Sequence, residues 1–140
     1  MSHQLDPTRP IYIQIMEEIK KRTVRGQYKP GEQLPSVREL AKEMEVNPNT
    51  IARVYMELDR EGFIFTRRGH GSFITKESGR VENERNRLAD DAAERFIREI
   101  GELNLNDGHR RKLINTINDK FSDREDNEKN SNSQDSERGS

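Results

Sequence analysis

The fold of this chain is decided by residues 30–75, which read PGEQLPSVRELAKEMEVNPNTIARVYMELDREGFIFTRRGHGSFIT. Two helix-start signals stand close together in this stretch, and two β-prone segments follow them around a glycine-rich turn. Two short helices joined by so few residues must cross steeply, which is the geometry of a helix-turn-helix. The sequence therefore predicts a mostly α fold with a small β wing, that is, a winged helix-turn-helix.

The first helix of the pair starts at a capping box. The Ser36 hydroxyl is placed to accept a hydrogen bond from the backbone N–H of Glu39, and the Glu39 carboxylate can reach back to the N–H of Ser36. Apolar residues then recur at helical spacing, namely Val37, Leu40, Ala41 and Met44. This pattern predicts a helix from residue 37 to about residue 45.

The second helix of the pair begins behind Asn47, a favoured capping residue, with Pro48 at the first helical position. Its apolar stripe consists of Ile51, Val54, Tyr55 and Leu58. Gly62 is suited to end the helix. We therefore predict a recognition helix at about 48–61, with Val46 as the packing hinge between the two helices.

A basic hairpin is predicted after the helix pair. Residues 63–66 and 72–75 read as two strands around Arg67-Arg68-Gly69-His70-Gly71. The two glycines permit the positive φ angles that a tight hairpin needs. Residues 63–75 are therefore interpreted as a wing with a basic tip.

Helices are also predicted on both sides of this region. A helix of about residues 10–25 precedes it, with Pro10 in the first turn and Gly26 at the end. A fourth helix starts at about Arg85 and a fifth at Asn106 or Asp107. Their apolar positions are Leu88, Ala92, Phe96, Ile100, Leu103, Leu113, Ile114, Ile117 and Phe121.

These last two helices predict a homodimer. Two amphipathic helices cannot bury both stripes against each other alone, whereas the same helices of a second copy can cover them. We therefore interpret their nine apolar positions as a dimerisation region within residues 79–121. The C-terminal part of the fold is then a two-helix dimerisation arm that follows the winged helix-turn-helix domain at residues 1–78.

The composition limits the remaining possibilities. Hydrophobic residues make up 29% of the chain and charged residues 36%, so the buried core must be small. Residues 122–140 hold 3 Lys and Arg against 6 Asp and Glu with no large apolar side chain, which predicts a disordered acidic polar tail. Cysteine is absent, and no apolar run exceeds three residues. A cytoplasmic location, no membrane partner and no metal site are expected.

The predicted recognition helix carries side chains suited to reading DNA on the side opposite its apolar stripe. Arginine can pair with guanine O6 and N7, and asparagine with adenine N6 and N7. Glycines at the hairpin tip let the wing approach a phosphate or the minor groove. The candidate DNA-binding residues are Ser36, Arg38, Asn47, Asn49, Thr50, Arg53, Tyr55, Arg67, Arg68, Gly69 and His70. Within this set, Asn47 is foremost a helix cap and Tyr55 foremost a core residue.

The sequence disfavours two of the three functions that compete with DNA binding. An enzyme is disfavoured because His3, His70 and His109 are scattered, with no carboxylate or hydroxyl at a spacing typical of a catalytic site. A membrane-surface element is disfavoured because residues 79–121 hold 9 basic and 9 acidic residues. A winged-helix adaptor that binds proteins and lacks specific DNA binding stays open as the alternative.

The motifs resemble those of the GntR-type bacterial transcription regulators. The resemblance covers residues 10–75 and is carried by the run from Pro30 to Ala41, by Val46-Asn47-Pro48-Asn49-Thr50, and by Gly69-His70-Gly71. It implies a winged helix-turn-helix, a homodimer and a double-stranded DNA operator with two-fold symmetry, and it implies repression. The Asn-Pro-Asn-Thr version is similar to the YtrA-like branch, whose second domain is short.

The resemblance also has limits that bear on specificity and control. Pro48 and Ala52 stand where some members have arginines, so the base preference of those members does not carry over. Only about 40 ordered residues are predicted after the wing, too few to enclose a metabolite in a dedicated pocket. We expect no cofactor, and we expect any small-molecule effector to act through the dimer cavity.

Overall fold

A computed structural model of the chain describes residues 5–137, with side chains described up to residue 133. Five helices and one hairpin make up this part of the chain: α1 Ile11–Val24, α2 Val37–Met44, α3 Pro48–Arg60, β1 Ile64–Arg67, β2 Gly71–Ile74, α4 Ser78–Gly101 and α5 Asp107–Glu137. The mostly α fold with a small β wing is confirmed.

Local capping sets the starts of α2 and α3. The Ser36 hydroxyl accepts from the Glu39 N–H at 3.1 Å, and the Ser36 N–H donates to the Glu39 carboxylate at 3.1 Å. Asn47 caps α3 by accepting from the Asn49 N–H at 2.8 Å, and Pro48 is the first residue of that helix. Both predicted caps are confirmed.

The link between α2 and α3 is tight because α2 ends in a left-handed residue. Glu45 has a φ of +56°, a conformation usually left to glycine or asparagine. The Val46 N–H donates to the Ala41 carbonyl at 3.0 Å, which closes the turn. Three residues therefore reverse the chain, and α2 and α3 pack closely as a helix-turn-helix pair.

The core lies where α1, α2, α3 and the hairpin meet. Its members are buried apolar side chains from the stripes of the three helices, from the hairpin and from the segment before α2. They are Ile15, Met16, Ile19, Leu34, Leu40, Ala41, Met44, Ile51, Val54, Tyr55, Leu58, Phe63, Ile64 and Ile74. Each large apolar side chain buried in this way contributes about 1.5–3 kcal/mol, so this cluster is what fixes the polar face of α3 outward.

The hairpin has strands of the predicted length, each one residue closer to the tip, and a third segment pairs with it. Strands β1 and β2 pair antiparallel, with Ile64 opposite Ile74 and Arg67 opposite Gly71. The segment 31–34 adds a third, short extended layer against β2, since the Leu34 N–H donates to the Ser72 carbonyl at 2.8 Å and the Ile74 N–H donates to the Glu32 carbonyl at 2.9 Å. The base of the wing is thereby anchored to the segment that leads into α2.

Helix α4 starts earlier than predicted, and its first turns belong to the same compact unit as the helix-turn-helix. It begins at Ser78, and the predicted start was about Arg85. The compact unit that contains the helix-turn-helix continues to Ala92. Val81 is buried, and the Arg80 guanidinium donates to the Glu61 carbonyl at 3.0 Å. The predicted domain boundary at residue 78 therefore falls at the start of a helix whose first turns are packed.

A buried lysine ties α1 to this junction. The Lys20 ammonium lies 2.7 Å from a Glu61 carboxylate oxygen and 3.3 Å from a Glu84 carboxylate oxygen. Burial opposes ionisation of Glu84, but the hydrogen bond from Arg87 and the charges of Lys20 and Arg87 outweigh it, so the pKa of Glu84 lies below its usual value. Ion pairing thus compensates the desolvation of a charge inside this unit.

Replacing Gly62 by alanine is expected to destabilise the fold. Gly62 has a φ of +77°, and a Cβ at this position would lie 2.8 Å from the Arg80 guanidinium. The left-handed backbone alone costs a residue with a side chain about 1–2 kcal/mol, and the clash breaks the Arg80 contact with Glu61. Denaturant unfolding followed by circular dichroism measures the loss.

Gly79→Ala is the matched control for that measurement. Gly79 lies in the first turn of α4, and an added Cβ there meets no atom within 4 Å. We expect this change to be neutral or stabilising by up to about 1 kcal/mol, since alanine favours helix over glycine. Equal unfolding midpoints for the two variants would contradict the role assigned to Gly62.

The second unit comprises the end of α4 and all of α5. Asn106 caps α5, since its side-chain oxygen accepts from the His109 N–H at 2.9 Å. Helix α5 runs to Glu137, so the prediction of a disordered tail from residue 122 is wrong for residues 122–137. No proline or glycine occurs between residues 109 and 137, so nothing in the backbone interrupts helix propagation. Residues 138–140 lie outside the described part of the chain.

Candidate nucleic-acid interface

The outward face of α3 presents polar side chains to solvent. Asn49 and Arg53 are exposed and Thr50 is half-buried. They lie opposite the buried stripe of α3, whose members are Ile51, Val54, Tyr55 and Leu58. The predicted reading face is therefore free of the chain's own core, which is the condition for entering a DNA groove.

Arg53 is held in a defined place on this face. Its guanidinium carbon lies 3.8 Å from the centroid of the Tyr12 ring in α1. A cation over an aromatic ring at this distance is attracted by the negative face of the ring. Helix α1 thus contributes to the surface that α3 presents, through a contact that links residues 41 positions apart.

Helix α2 places a second arginine near its N-terminus. Arg38 is in the first turn of α2 and is exposed. In the described part of the chain it forms no ion pair, so its donors are available to an incoming acceptor. Ser36 is also exposed, although its hydroxyl is occupied as the cap of α2.

The tip of the wing is a tight turn built on glycine. The His70 N–H donates to the Arg67 carbonyl at 2.9 Å, and Gly69 between them has a φ of +81°, as a type II turn requires at its third position. Arg67, Arg68 and His70 are exposed around this turn. The tip therefore offers three basic side chains with little bulk at Gly69.

A polar contact joins the wing tip to the entrance of α2. The Gln33 side-chain amide donates to the His70 carbonyl at 2.6 Å. A Cβ at Gly71 would lie 2.8 Å from that amide nitrogen, so glycine is needed there for space as well as for its φ of +108°. Ser36 and His70 consequently line one groove, which has a volume of about 720 Å³.

The local charge favours an anionic partner although the whole chain does not. No acidic residue occurs in residues 46–56 or in residues 62–76. These two segments form the start of α3 and the whole wing. The formal net charge of the chain is −1, so the positive character of this surface comes from the local distribution of charge and not from the sum over the chain.

Two predicted contact residues have structural duties instead. Tyr55 is buried with 7% exposure, and its hydroxyl donates to the Pro35 carbonyl at 2.6 Å, so this side chain serves the core, as expected foremost of it. Burial raises the pKa of the Tyr55 hydroxyl well above its ordinary value. Asn47 is exposed, but its side-chain oxygen is engaged as the cap of α3.

Two residues on this surface are not among the predicted contact residues. Tyr12 lies in the first helix, and its ring supports Arg53. Met56 is 53% exposed on the outward side of α3, three residues after Arg53 and seven after Asn49. That helical spacing places Met56 on the same side of α3 as Asn49 and Arg53, so its position could have been predicted from the sequence. Apolar side chains are suited to contact thymine methyl groups.

The second unit exposes an unusual amount of apolar surface. Large hydrophobic side chains there remain 40% or more exposed, namely Phe96, Ile97, Leu103, Ile114 and Phe121. Ile97 was not among the predicted dimerisation residues, although it lies three positions before Ile100. Within the same unit, Leu113 and Ile117 are half-buried, and Phe96, Ile100, Leu103 and Leu113 line a groove of about 460 Å³.

The described residues contain few other features that carry chemistry. Between residues 5 and 137 no group of three or more His, Cys, Asp or Glu side chains is arranged to hold a metal ion. Over the same range, none of the helices combines the length and the apolar character needed to cross a membrane.

Comparison with known proteins places this arrangement in a family. A family model described as bacterial regulatory proteins, gntR family, matches residues 11–74. The chain is 43% identical over 105 residues to the HTH-type transcriptional regulator YhcF of Bacillus subtilis, covering 75% of this chain and 87% of that protein. It is 49% identical over 75 residues to the HTH-type transcriptional repressor YtrA of Bacillus subtilis, covering 52% of this chain and 58% of that protein.

The solved structures agree with the sequence comparison. A GntR family transcriptional regulator from Listeria monocytogenes superposes with a TM-score of 0.72 and 40% identity, over 82% of this chain and 98% of that one. A transcriptional regulator from Oenococcus oeni superposes with a TM-score of 0.65 and 35% identity, over 84% and 96% of the two chains. These relatives are transcription regulators and not enzymes, and with them this chain belongs to the gntR family of bacterial regulatory proteins, as a winged-helix regulator with a DNA-binding helix-turn-helix.

Proposed function

We propose that this chain represses transcription by binding, as a homodimer, a DNA operator with two-fold symmetry. The observation that carries the proposal is the exposed polar face of α3, where Asn49 and Arg53 lie opposite the buried stripe. Such a face fits the major groove. There arginine can donate to the two acceptors of guanine, and asparagine can both accept from and donate to adenine. Arg38 at the start of α2 adds a further donor next to this helix.

The wing is proposed to bind the DNA flanking the recognition helix. Its tip offers Arg67, Arg68 and His70 around Gly69, with no carboxylate in residues 62–76. Contacts from such residues to phosphates fix the register of a protein on DNA and depend strongly on salt. We place the wing on the backbone or in the adjacent minor groove.

The homodimer is proposed because the second unit has an apolar face without a partner in the described chain. Leu103 and Phe121 are 67% and 66% exposed, which is costly in water and is relieved by a second copy. A dimer with two recognition helices reads two half-sites about one helical turn apart or a multiple of it. Repression by blocking promoter access agrees with the name of the relative YtrA, a transcriptional repressor.

Selection of bound sequences from a random DNA pool tests this function with the full chain. We expect enrichment of an inverted repeat whose half-site centres lie about 10–10.5 base pairs apart or a multiple of that spacing. Enrichment of single or directly repeated half-sites would sink the two-fold operator. An adaptor without specific DNA binding, the alternative function, would enrich no sequence at all.

Control by a small molecule is proposed to act through the dimer cavity formed by the second unit. The groove of about 460 Å³ beside Phe96, Leu105 and Leu113 is the apolar concave surface of that unit. A thermal-shift screen of the full chain detects a ligand. Equally tight binding of that ligand by a fragment ending after Ala92, where the DNA-binding unit ends, would contradict this location.

A further inference from the structure

The contact between Arg53 and Tyr12 differs from the other cation–ring approaches in the described chain. The guanidinium carbon of Arg53 lies 3.8 Å from the Tyr12 centroid. The approaches of Lys20 to Phe63, of Arg67 to Phe65 and of Lys76 to Phe65 span 5.8–5.9 Å. Only the first distance is van der Waals contact between two flat groups.

This distance indicates how the guanidinium lies. A guanidinium perpendicular to the ring, with one nitrogen pointing at it, would bring that nitrogen about 2.5 Å from the ring centroid, so the 3.8 Å separation fits stacking of the two flat groups. A face-to-face arrangement leaves the N–H donors of Arg53 pointing outward in their own plane. No ion pair or hydrogen bond engages those donors within the part of the chain that the structure describes.

We propose that Tyr12 is a positioning residue for DNA recognition, which holds the Arg53 guanidinium flat so that its forked donors meet a two-acceptor edge of DNA. This inference rests on the proposed function and adds α1 to the reading surface. A free arginine loses much rotamer freedom when it binds, and a stacked one has lost part of it beforehand. The acceptor is either the guanine O6 and N7 pair or two phosphate oxygens.

A double-mutant cycle tests the coupling between the two residues. Tyr12→Leu retains apolar bulk for the half-buried position and removes the ring. In the native background it is expected to weaken binding of the selected operator about 3- to 30-fold, the range of a cation–ring contact. In an Arg53→Ala background the same change is expected to alter the Kd less than 2-fold.

Conservative variants separate positioning from packing. Tyr12→Phe keeps the ring and is expected to bind within 2-fold of the native chain. Arg53→Lys keeps the charge but removes the planar guanidinium. It is expected to lose most of the operator affinity that Arg53→Ala loses. If the acceptor is guanine, Tyr12→Leu relaxes the preference for one base, and if it is phosphate, the variant lowers the salt dependence without changing base preference.

The possible results either support the inference or overturn it. A loss on Tyr12→Leu that is equal in both backgrounds would show that Tyr12 acts by packing or by its own contact, and the inference fails. A loss on Tyr12→Phe as large as on Tyr12→Leu would also overturn it. Failure of the native chain to bind any selected DNA would instead refute the proposed function.

A measurement without DNA keeps the inference testable if Tyr12→Leu does not fold. In the native full chain, the Nε–H proton of Arg53 is expected to show an upfield ring-current shift in the NMR spectrum. Arg53→Lys assigns that signal by its disappearance. An Arg53 signal at its ordinary position would show that the guanidinium does not lie on the ring, which overturns the inference.

Discussion

Replacing Arg38 and Arg53 together by alanine is expected to abolish specific operator binding while the protein stays folded. A guanidinium that pairs with a base edge contributes about 1–3 kcal/mol, so losing two amounts to roughly 2–6 kcal/mol, or about 30- to 10⁴-fold in Kd. The two side chains are exposed, so their removal leaves no cavity in the core. Fluorescence anisotropy with the selected operator at fixed salt measures the change.

The control for this experiment removes the same charge elsewhere in the same unit. Arg25→Ala with Arg85→Ala takes two exposed arginines from the C-terminus of α1 and from α4. The ion pair of Arg85 with Glu82 is also exposed and contributes little to stability. We expect a small, sequence-independent loss for this control. Equal losses for the two double variants would refute base reading by Arg38 and Arg53.

The sequence predicted best what is decided by neighbouring residues. The capping box of Ser36 and Glu39, the cap at Asn47 and the apolar stripe of α3 are all spaced within a few turns, and the structure confirms them. Because the stripe fixes which side of α3 is buried, it also predicted which side carries Asn49 and Arg53. The reading face was thus accessible from local periodicity alone.

What the sequence could not predict depends on distant partners or on an unbroken backbone. The contact of Tyr12 with Arg53 joins residues that are 41 positions apart in the sequence. The hydrogen bond from Arg80 to the Glu61 carbonyl holds the first turn of α4, which precedes the predicted apolar stripe of that helix. Such contacts leave no periodic signal. The helical segment 122–137 was missed for another reason, because its composition resembles a disordered chain while it lacks proline and glycine.

The proposed dimer depends on apolar side chains that α5 leaves in contact with water. Ile114 and Phe121 are 57% and 66% exposed, and they lie seven residues apart on one side of the helix. A symmetric dimer contains two copies of each residue, one in each protomer, so four side chains are buried in all. Because these four side chains are already partly buried within each chain, covering the rest of them stabilises the dimer by roughly 4 kcal/mol at the lower end of the usual range.

Replacing Ile114 and Phe121 by glutamate is therefore expected to convert the dimer into monomers at micromolar concentration. The lost burial alone corresponds to about 10³-fold in the dimer Kd, and like charges then face each other across the pair. Sedimentation velocity measures the mass, and anisotropy measures operator binding, which weakens because each half-site must then be filled independently.

The control for this experiment is Asn115→Glu with Ser122→Glu, which adds the same charge at exposed positions of α5. These positions lie about 100° around the helix axis from Ile114 and Phe121, so this control should remain dimeric. If Ile114→Glu with Phe121→Glu stays dimeric as the control does, the interface lies elsewhere in the chain. An apolar seam on α5 could not tolerate the four buried carboxylates that this variant introduces, two from each protomer.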